Sequence, residues 1–330
     1  MAGWRAPAFW AAKRRPPWPL RLALGPVAWG VGRVAARRAR QAGVDPGVPV
    51  LCVGNVTVGG SGKTTVVIDL VQRLRARGVE AHVLMRGYGG RLRGPHRVGP
   101  ADTAAMVGDE ALLLARHAPV WIGGDRVASA RQAVAAGAGA LVMDDGLQNP
   151  GLHKHLGLLV VDAGAGFGNG RLLPLGPLRE TPAAAAARCA AVVRIGDGAE
   201  GRLDPPTGRV ELSATPVQDP AGIDALRGMR LFAFAGIGRP EKFFDALRSA
   251  GLDLAGTRAL GDHQPYTAAL RARLLDEAKR LDAVAVTTPK DLARWGSQSP
   301  APRVVGLRLA WSDETEVEAL LDTWLDGVPR

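Results

Sequence analysis

The residues whose types and spacing most clearly suit chemistry form one run, Gly54-Asn-Val-Thr-Val-Gly-Gly-Ser-Gly-Lys-Thr-Thr65. The apolar stretch Val48-Pro-Val-Leu-Cys-Val53 leads into it and reads as a buried strand. Beyond it, Val66 to Arg77 has helical periodicity and stops at Gly78. Strand, small-residue loop and helix N-terminus make a phosphate cradle, because backbone N–H groups can turn inward on phosphate oxygens while the helix dipole adds positive potential. Thr57, Val58, Gly59, Gly60, Ser61, Gly62, Lys63, Thr64 and Thr65 are therefore the candidate ATP-binding residues. Lys63 can reach the β- and γ-phosphates, and the Thr64 hydroxyl can ligate Mg²⁺. The usual G-x-x-x-x-G-K-[ST] pattern would place its first glycine at position 57, where this chain has Thr57. Gly59, Gly60 and Gly62 still supply the backbone freedom the loop needs.

Phosphoryl transfer with Mg²⁺ also needs a carboxylate at the end of a neighbouring strand. Gly139-Ala-Leu-Val-Met143 reads as such a strand, and Asp144-Asp145-Gly146 follows at once. A capped turn would use the same residues, but beside a phosphate cradle the metal role is the stronger reading. Arg86 and Tyr88 lie on a Gly-rich loop after the strand Ala81 to Met85, where they could grip a substrate or belong to a plain turn. Asp109 precedes the helical stretch Glu110-Ala-Leu-Leu-Leu-Ala115, where it could be a base or simply stabilise the first turn. Some nucleotide-binding classes are disfavoured. Val58 stands where ParA-like ATPases carry an extra lysine, and Thr287-Thr-Pro-Lys-Asp291 lacks the N/T-K-x-D spacing that reads guanine. A small-molecule kinase is the simplest class left.

The elements that must position these groups read as strands at Val48, Ala81, Val120, Ala140, Leu158 and Ala191 alternating with helices, including Arg126 to Ala138. That alternation predicts an α/β fold, a P-loop NTPase-type doubly wound parallel sheet binding its ligand at the strands' carboxyl ends. A second, smaller α/β domain is expected over 229–330, joined to a core domain over 41–200 by a Gly/Pro/Asp-rich linker over 201–228. Residues 1–40 read as an interfacial arm. Trp4, Trp10 and Trp18 stand among Lys13, Arg14 and Arg15, and an amphipathic helix follows with Leu20, Leu24, Val27, Val31 and Val34 on one face. The uncharged stretch from Arg21 to Arg33 is too short to span a bilayer, and Gly25-Pro26 is expected to interrupt it.

Composition agrees with this organisation. The 330 residues are 47% hydrophobic, enough for a large core, and 42 basic against 31 acidic residues give a formal charge of +11. The excess favours an anionic partner such as a nucleotide or acidic lipid, although an arginine-rich composition alone would also produce it. Cys52 and Cys189 each lie in an apolar run, which argues against a disulfide framework or a cysteine metal site and fits a reducing compartment.

The ordered motifs resemble one family over nearly the whole chain, the tetraacyldisaccharide 4'-kinases. They are Val53 to Thr65, Arg86-Gly-Tyr-Gly-Gly90, Val107-Gly-Asp-Glu110, Gly124-Asp-Arg126, Asp144-Asp-Gly-Leu-Gln148, Pro177-Leu-Arg-Glu180, Phe234-Ala-Gly-Ile237, Asp262-His263 and Pro289-Lys-Asp291. The resemblance extends to Thr57 and to the basic N-terminal arm. It departs at Leu147, Gln264 and Pro289, where Phe, His and Glu are frequent in the family.

This resemblance implies transfer of the ATP γ-phosphate to the 4'-hydroxyl of an acylated glucosamine disaccharide 1-phosphate, giving lipid IVA in lipid A biosynthesis. It implies a peripheral or monotopic monomer on the cytoplasmic face of the inner membrane, with no nucleic-acid partner. It implies Asp109 as catalytic base oriented by His263, with Lys63 completing the catalytic set. Glu180 and Gln148 would join Thr64, Asp144 and Asp145 around Mg²⁺, and Arg179 would lie near the phosphates with Arg86 and Tyr88 on the substrate. The alternative is a P-loop kinase of another small hydroxylated substrate, which would not need the N-terminal arm.

Overall fold

A computed structural model describes residues 6–12, 14–203, 210–262, 264–296 and 298–327. Trp4, Lys13 and His263 lie outside the described residues. The chain runs from α1 (Trp18–Ala39) through β1 (Val50–Gly54), α2 (Lys63–Ala76), β2 (Ala81–Met85) and β3 (His96–Arg97). Next come α3 (Ala104–Val107), α4 (Asp109–Leu114), β4 (Val120–Ile122), α5 (Arg126–Ala135), β5 (Ala140–Asp144) and β6 (Leu156–Asp162). After α6 (Pro182–Ala186), β7 (Ala191–Ile195) and β8 (Val210–Gln218) follow α7 (Pro220–Asp224), β9 (Arg230–Ala235), α8 (Pro240–Ser249) and β10 (Asp253–Ala259). The chain closes with α9 (Ala268–Arg280), β11 (Val284–Thr287), α10 (Pro289–Trp295), β12 (Arg303–Val304), β13 (Leu307–Trp311) and α11 (Glu314–Asp326).

These strands form two sheets. The larger has the order β13-β8-β7-β6-β1-β5-β2-β4-β3 and the smaller β10-β9-β11-β12. Strands β8 to β4 of the large sheet are parallel, and only its edges, β13 on β8 and β3 on β4, run antiparallel. Strands β1, β2, β5 and β7 are buried at every residue, as parallel strands covered on both faces must be. Helices α2, α4 and α11 pack on one face and α5 and α6 on the other. The small sheet is likewise covered by α7 and α8 on one side and α9 and α10 on the other.

Four sequence expectations need correction. The stretch expected to be a linker contains β8, which carries the parallel sheet one strand further and buries Leu212 and Ala214. The run from Arg303 to Leu309 divides: β12 joins the small sheet and β13 returns to the large one, so the C-terminal segment serves both. Gly25-Pro26 does not interrupt α1, which is continuous over 22 residues with Pro26 inside it. Trp10, grouped with the interfacial aromatics, is buried, and its indole N–H donates to the Pro174 carbonyl at 3.1 Å.

The returning C-terminal segment braces the helix that begins at Lys63. Trp311 Nε1 donates to Asp69 Oδ2 at 3.0 Å, and Arg73 and Arg77 reach Glu314, Glu318 and Asp322 of α11. Among the described residues no helix is long and apolar enough to cross a membrane. Even so, α1 leaves Trp18 74%, Leu22 74% and Trp29 68% exposed, all on one side at helical spacing.

A phosphate cradle facing two aspartates

Register between adjacent parallel strands builds the site. β1 lies beside β5 with Val53 opposite Asp144, so the loop leaving β1 and the aspartates leaving β5 emerge together at the carboxyl end of the sheet. The loop closes on Gly62, whose φ of 82° at the start of α2 is left-handed and suits glycine. Its other side is tied down by Val58 N–H donating to the Pro177 carbonyl at 2.9 Å and Arg179 N–H donating to the Val56 carbonyl at 2.7 Å. The segment Pro177-Leu-Arg-Glu180 is thus the wall against which the cradle is shaped.

Inside the cradle, Lys63 Nζ donates to Asn55 Oδ1 at 3.1 Å and lies 3.8 Å from Asp145 Oδ1. Asn55 in turn donates to the carbonyl and hydroxyl of Thr57, both at 3.0 Å. This gives Thr57 a physical role that the glycine of the usual pattern could not perform. Arg179 Nη1 pairs with Asp145 at 2.8 and 3.0 Å and donates to Gln148 Oε1 at 3.3 Å. Gln148 Nε2 donates to the Asn55 carbonyl and to Glu180 Oε1, both at 2.9 Å. Glu180 gives both its oxygens to Arg188, at 2.9 and 3.0 Å, so it reaches the site through Gln148.

Asp144 differs from all of these. It is buried, and its Oδ1 has no hydrogen-bond partner among the described residues. Burial, then the negative charge of Glu110, pushes its carboxyl up to about 7, against the opposing pull of Lys63. A buried carboxylate oxygen left unserved at the end of a strand, beside a phosphate cradle, fits a Mg²⁺ ligand. The Ser61 hydroxyl is also buried without a partner among the described residues, in the loop where a phosphate oxygen would lie. Asp145 holds a φ of 57°, a left-handed conformation costing a non-glycine residue about 1–2 kcal/mol, as functional loops often do.

A second cluster stands beside the first. Asp109 begins α4, directly after Gly108, whose φ is 93°. A Cβ on Gly108 would lie 2.3 Å from the Tyr88 carbonyl oxygen, so only glycine lets the Arg86-to-Gly90 loop pack this closely against the start of α4. Arg86 and Tyr88 are consequently held near Asp109 with their side chains exposed. Asp109 Oδ2 is 3.5 Å from Arg294 Nε of α10, which brings the small-sheet half of the chain to the site.

Comparison with known proteins identifies the family. The family described as tetraacyldisaccharide-1-P 4'-kinase matches residues 20–326. The tetraacyldisaccharide 4'-kinase of Rhodospirillum centenum is 50% identical over 332 residues, covering 98% of this chain and 97% of that one. The corresponding protein of Gluconacetobacter diazotrophicus is 51% identical over 325 residues, covering 97% and 98%. The chain belongs to the tetraacyldisaccharide 4'-kinase family. The crystal structure of LpxK from Aquifex aeolicus in complex with ATP shares the fold, with a TM-score of 0.71 and 24% identity over 93% of this chain and 99% of that one.

Within this kinase family member, sequence reasoning missed several residues that the fold brings to the site. Arg126 is buried, its Nε has no partner, and burial followed by the Arg86 charge lowers its pKa to about 10, so it stays cationic beside Asp144 and Asp145. In the sequence it closed the Gly124-Asp-Arg126 motif, after the N-cap Asp125, without a role of its own. Asn55 and Glu110 stood in the quoted motifs without a role, and Arg188 and Arg294 had no local signal, because each role appears only once folding sets the side chain against its partners.

Proposed function

We propose that this protein transfers the γ-phosphoryl group of ATP to the 4'-hydroxyl of an acylated glucosamine disaccharide 1-phosphate, the 4'-kinase step of lipid A biosynthesis. The observation that carries this reading is the convergence of Lys63, Asp144 and Asp145 at the mouth of the Thr57-to-Thr65 loop in a chain of this family.

The backbone N–H groups from Gly59 to the start of α2 would bind the β-phosphate, while Val58 N–H is held by the Pro177 carbonyl, and Lys63 would span the β- and γ-phosphates. Thr64, Asp144 and Asp145 would hold Mg²⁺, with Gln148 and Glu180 supporting them; the ion when bound neutralises charge on the phosphate oxygens. Arg179 and Arg126 supply fixed positive charge on the same side, which phosphoryl transfer uses more than any covalent step. Asp109 is the candidate base that takes the proton of the attacking hydroxyl, with His263 as its partner, and Arg86 and Tyr88 would hold the substrate.

An anionic, greasy substrate accounts for the arm. Exposed Trp18, Leu22 and Trp29 alternate with Arg21 and Arg33, and Arg33 lies over the Trp29 ring at 5.4 Å, a combination suited to lipid headgroups. Their placement supports a peripheral position at the cytoplasmic face of the inner membrane. The test is incubation of purified protein with labelled ATP, Mg²⁺ and the disaccharide 1-phosphate in detergent micelles. Wild type should label the lipid, and Lys63→Ala and Asp109→Ala should lose most of that activity. Equal labelling by all three would contradict the proposal.

A further inference from the structure

Arg294 lies in neither the cradle nor the aspartate pair, yet it is one of the most completely engaged cations in the molecule. Its side chain is only 3% exposed. Nη2 donates to Asp291 Oδ1 at 2.6 Å and to the Gly236 carbonyl at 2.7 Å, and Nη1 donates to the Gln264 carbonyl at 3.4 Å. The guanidinium also sits 5.7 Å from the centre of the Tyr266 ring. All of these partners belong to the small-sheet half of the chain, and they fix the planar fork in place. Nε, whose N–H also donates to the Lys290 carbonyl at 3.5 Å, forms an ion pair with Asp109 Oδ2 at 3.5 Å across to the large-sheet half.

Charge accounting gives this contact meaning. Asp291 is fully buried and already accepts from Gly236 N–H, Tyr266 O–H and the Thr288 hydroxyl, at 3.0, 2.8 and 2.7 Å. One guanidinium therefore serves two carboxylates, one saturated by its surroundings and one at the start of α4. A fixed cation beside Asp109 restrains that carboxylate without having to reorganise when the substrate arrives. The Gln264 carbonyl held by the same guanidinium adjoins His263 in sequence, so one side chain ties together both segments that carry the candidate proton-transfer pair.

We infer that Arg294 is a positioning residue for catalysis, locking Asp109 of the large-sheet half to the Asp291–Gly236–Gln264 frame of the small-sheet half. This rests on the reading of Asp109 as the base. Misplacing such a group by about 1 Å costs on the order of 100-fold in rate. Arg294→Met should therefore lower kcat by roughly 10- to 100-fold while leaving KM for ATP and the affinity for an ATP analogue unchanged, and Arg294→Lys should recover part of the loss.

The deciding experiment is a double-mutant cycle on the full chain, measuring kcat for wild type, Arg294→Met, Asp109→Asn and the double variant. If Arg294 acts through Asp109, the double variant is no slower than Asp109→Asn alone. Losses that multiply, a change confined to KM, or a wild-type kcat for Arg294→Met would overturn the inference and leave the Asp109 reading standing. A wild-type kcat for Asp109→Asn would overturn both. Should Arg294→Met fail to fold, Arg294→Lys carries the same cycle, and its kcat loss must likewise vanish in the Asp109→Asn background.

Discussion

Two aspartates, each near the end of a strand and each almost wholly buried, are treated in opposite ways by this fold. Asp291, in the first turn of α10, accepts hydrogen bonds from a backbone N–H, a phenol, a hydroxyl and a guanidinium. Asp144, at the end of β5, keeps one oxygen with no donor and has its pKa pushed up to about 7 by burial and by Glu110. The fold satisfies the first, whereas the second has an oxygen that none of the described residues serves. Equal burial with unequal satisfaction is the contrast on which the proposed metal role of Asp144 rests.

The largest effect expected from breaking this contrast is on activity. Asp144→Asn keeps the shape and removes the charge, and kcat should fall roughly 10²–10³-fold, as when a preorganised electrostatic group is lost, with the melting midpoint not lowered. The same loss of charge at Asp291 should act on the fold. Asp291→Ala leaves the Gly236 N–H, the Tyr266 hydroxyl and Arg294 buried without their acceptor, and should cost about 3 kcal/mol in urea unfolding. If Asp144→Asn destabilised the protein as much as Asp291→Ala does, the distinction between the two sites would fail.

A graded effect sharpens the comparison through pH. The Asp144 carboxyl titrates near 7 in the folded chain and near about 4 when unfolded, so between those values the folded state holds the extra proton. Its contribution to stability is therefore present at low pH and declines as pH rises through that window. In metal-free protein, Asp144→Asn should be more stable than wild type at pH 8, by roughly 4 kcal/mol at most, and the gap should shrink through pH 5 and vanish near about pH 4. A gap that is constant with pH would contradict the burial argument.

How much of this was legible in the sequence follows from the range of the interactions. The cradle and the Asp144–Asp145 turn were readable because a strand, a loop and a helix start are local patterns, and the sheet core followed from apolar runs such as Val48–Val53. β8 was hidden by the Gly, Pro and Asp residues around it, although Leu212 and Ala214 alternate as a half-buried strand should. Pro26 misled because a proline within a helix forfeits one backbone bond, and a helix of 22 residues tolerates that loss. Trp10 misled because composition alone cannot tell a headgroup-facing indole from one whose N–H finds the Pro174 carbonyl. Arg294 was invisible because its meaning depends on α10 meeting α4, a contact spanning nearly two hundred residues that no spacing rule encodes.

The claim beneath all of this is that the partnerless oxygen of Asp144 is there to hold a cation on the phosphates in the Thr57-to-Thr65 loop. Calorimetric titration of a non-hydrolysable ATP analogue, with and without Mg²⁺, tests it in wild type and in Asp144→Asn. The account predicts that Mg²⁺ strengthens binding to wild type and that Asp144→Asn loses that gain while still binding the analogue alone. An equal Mg²⁺-dependent gain in both proteins would contradict it.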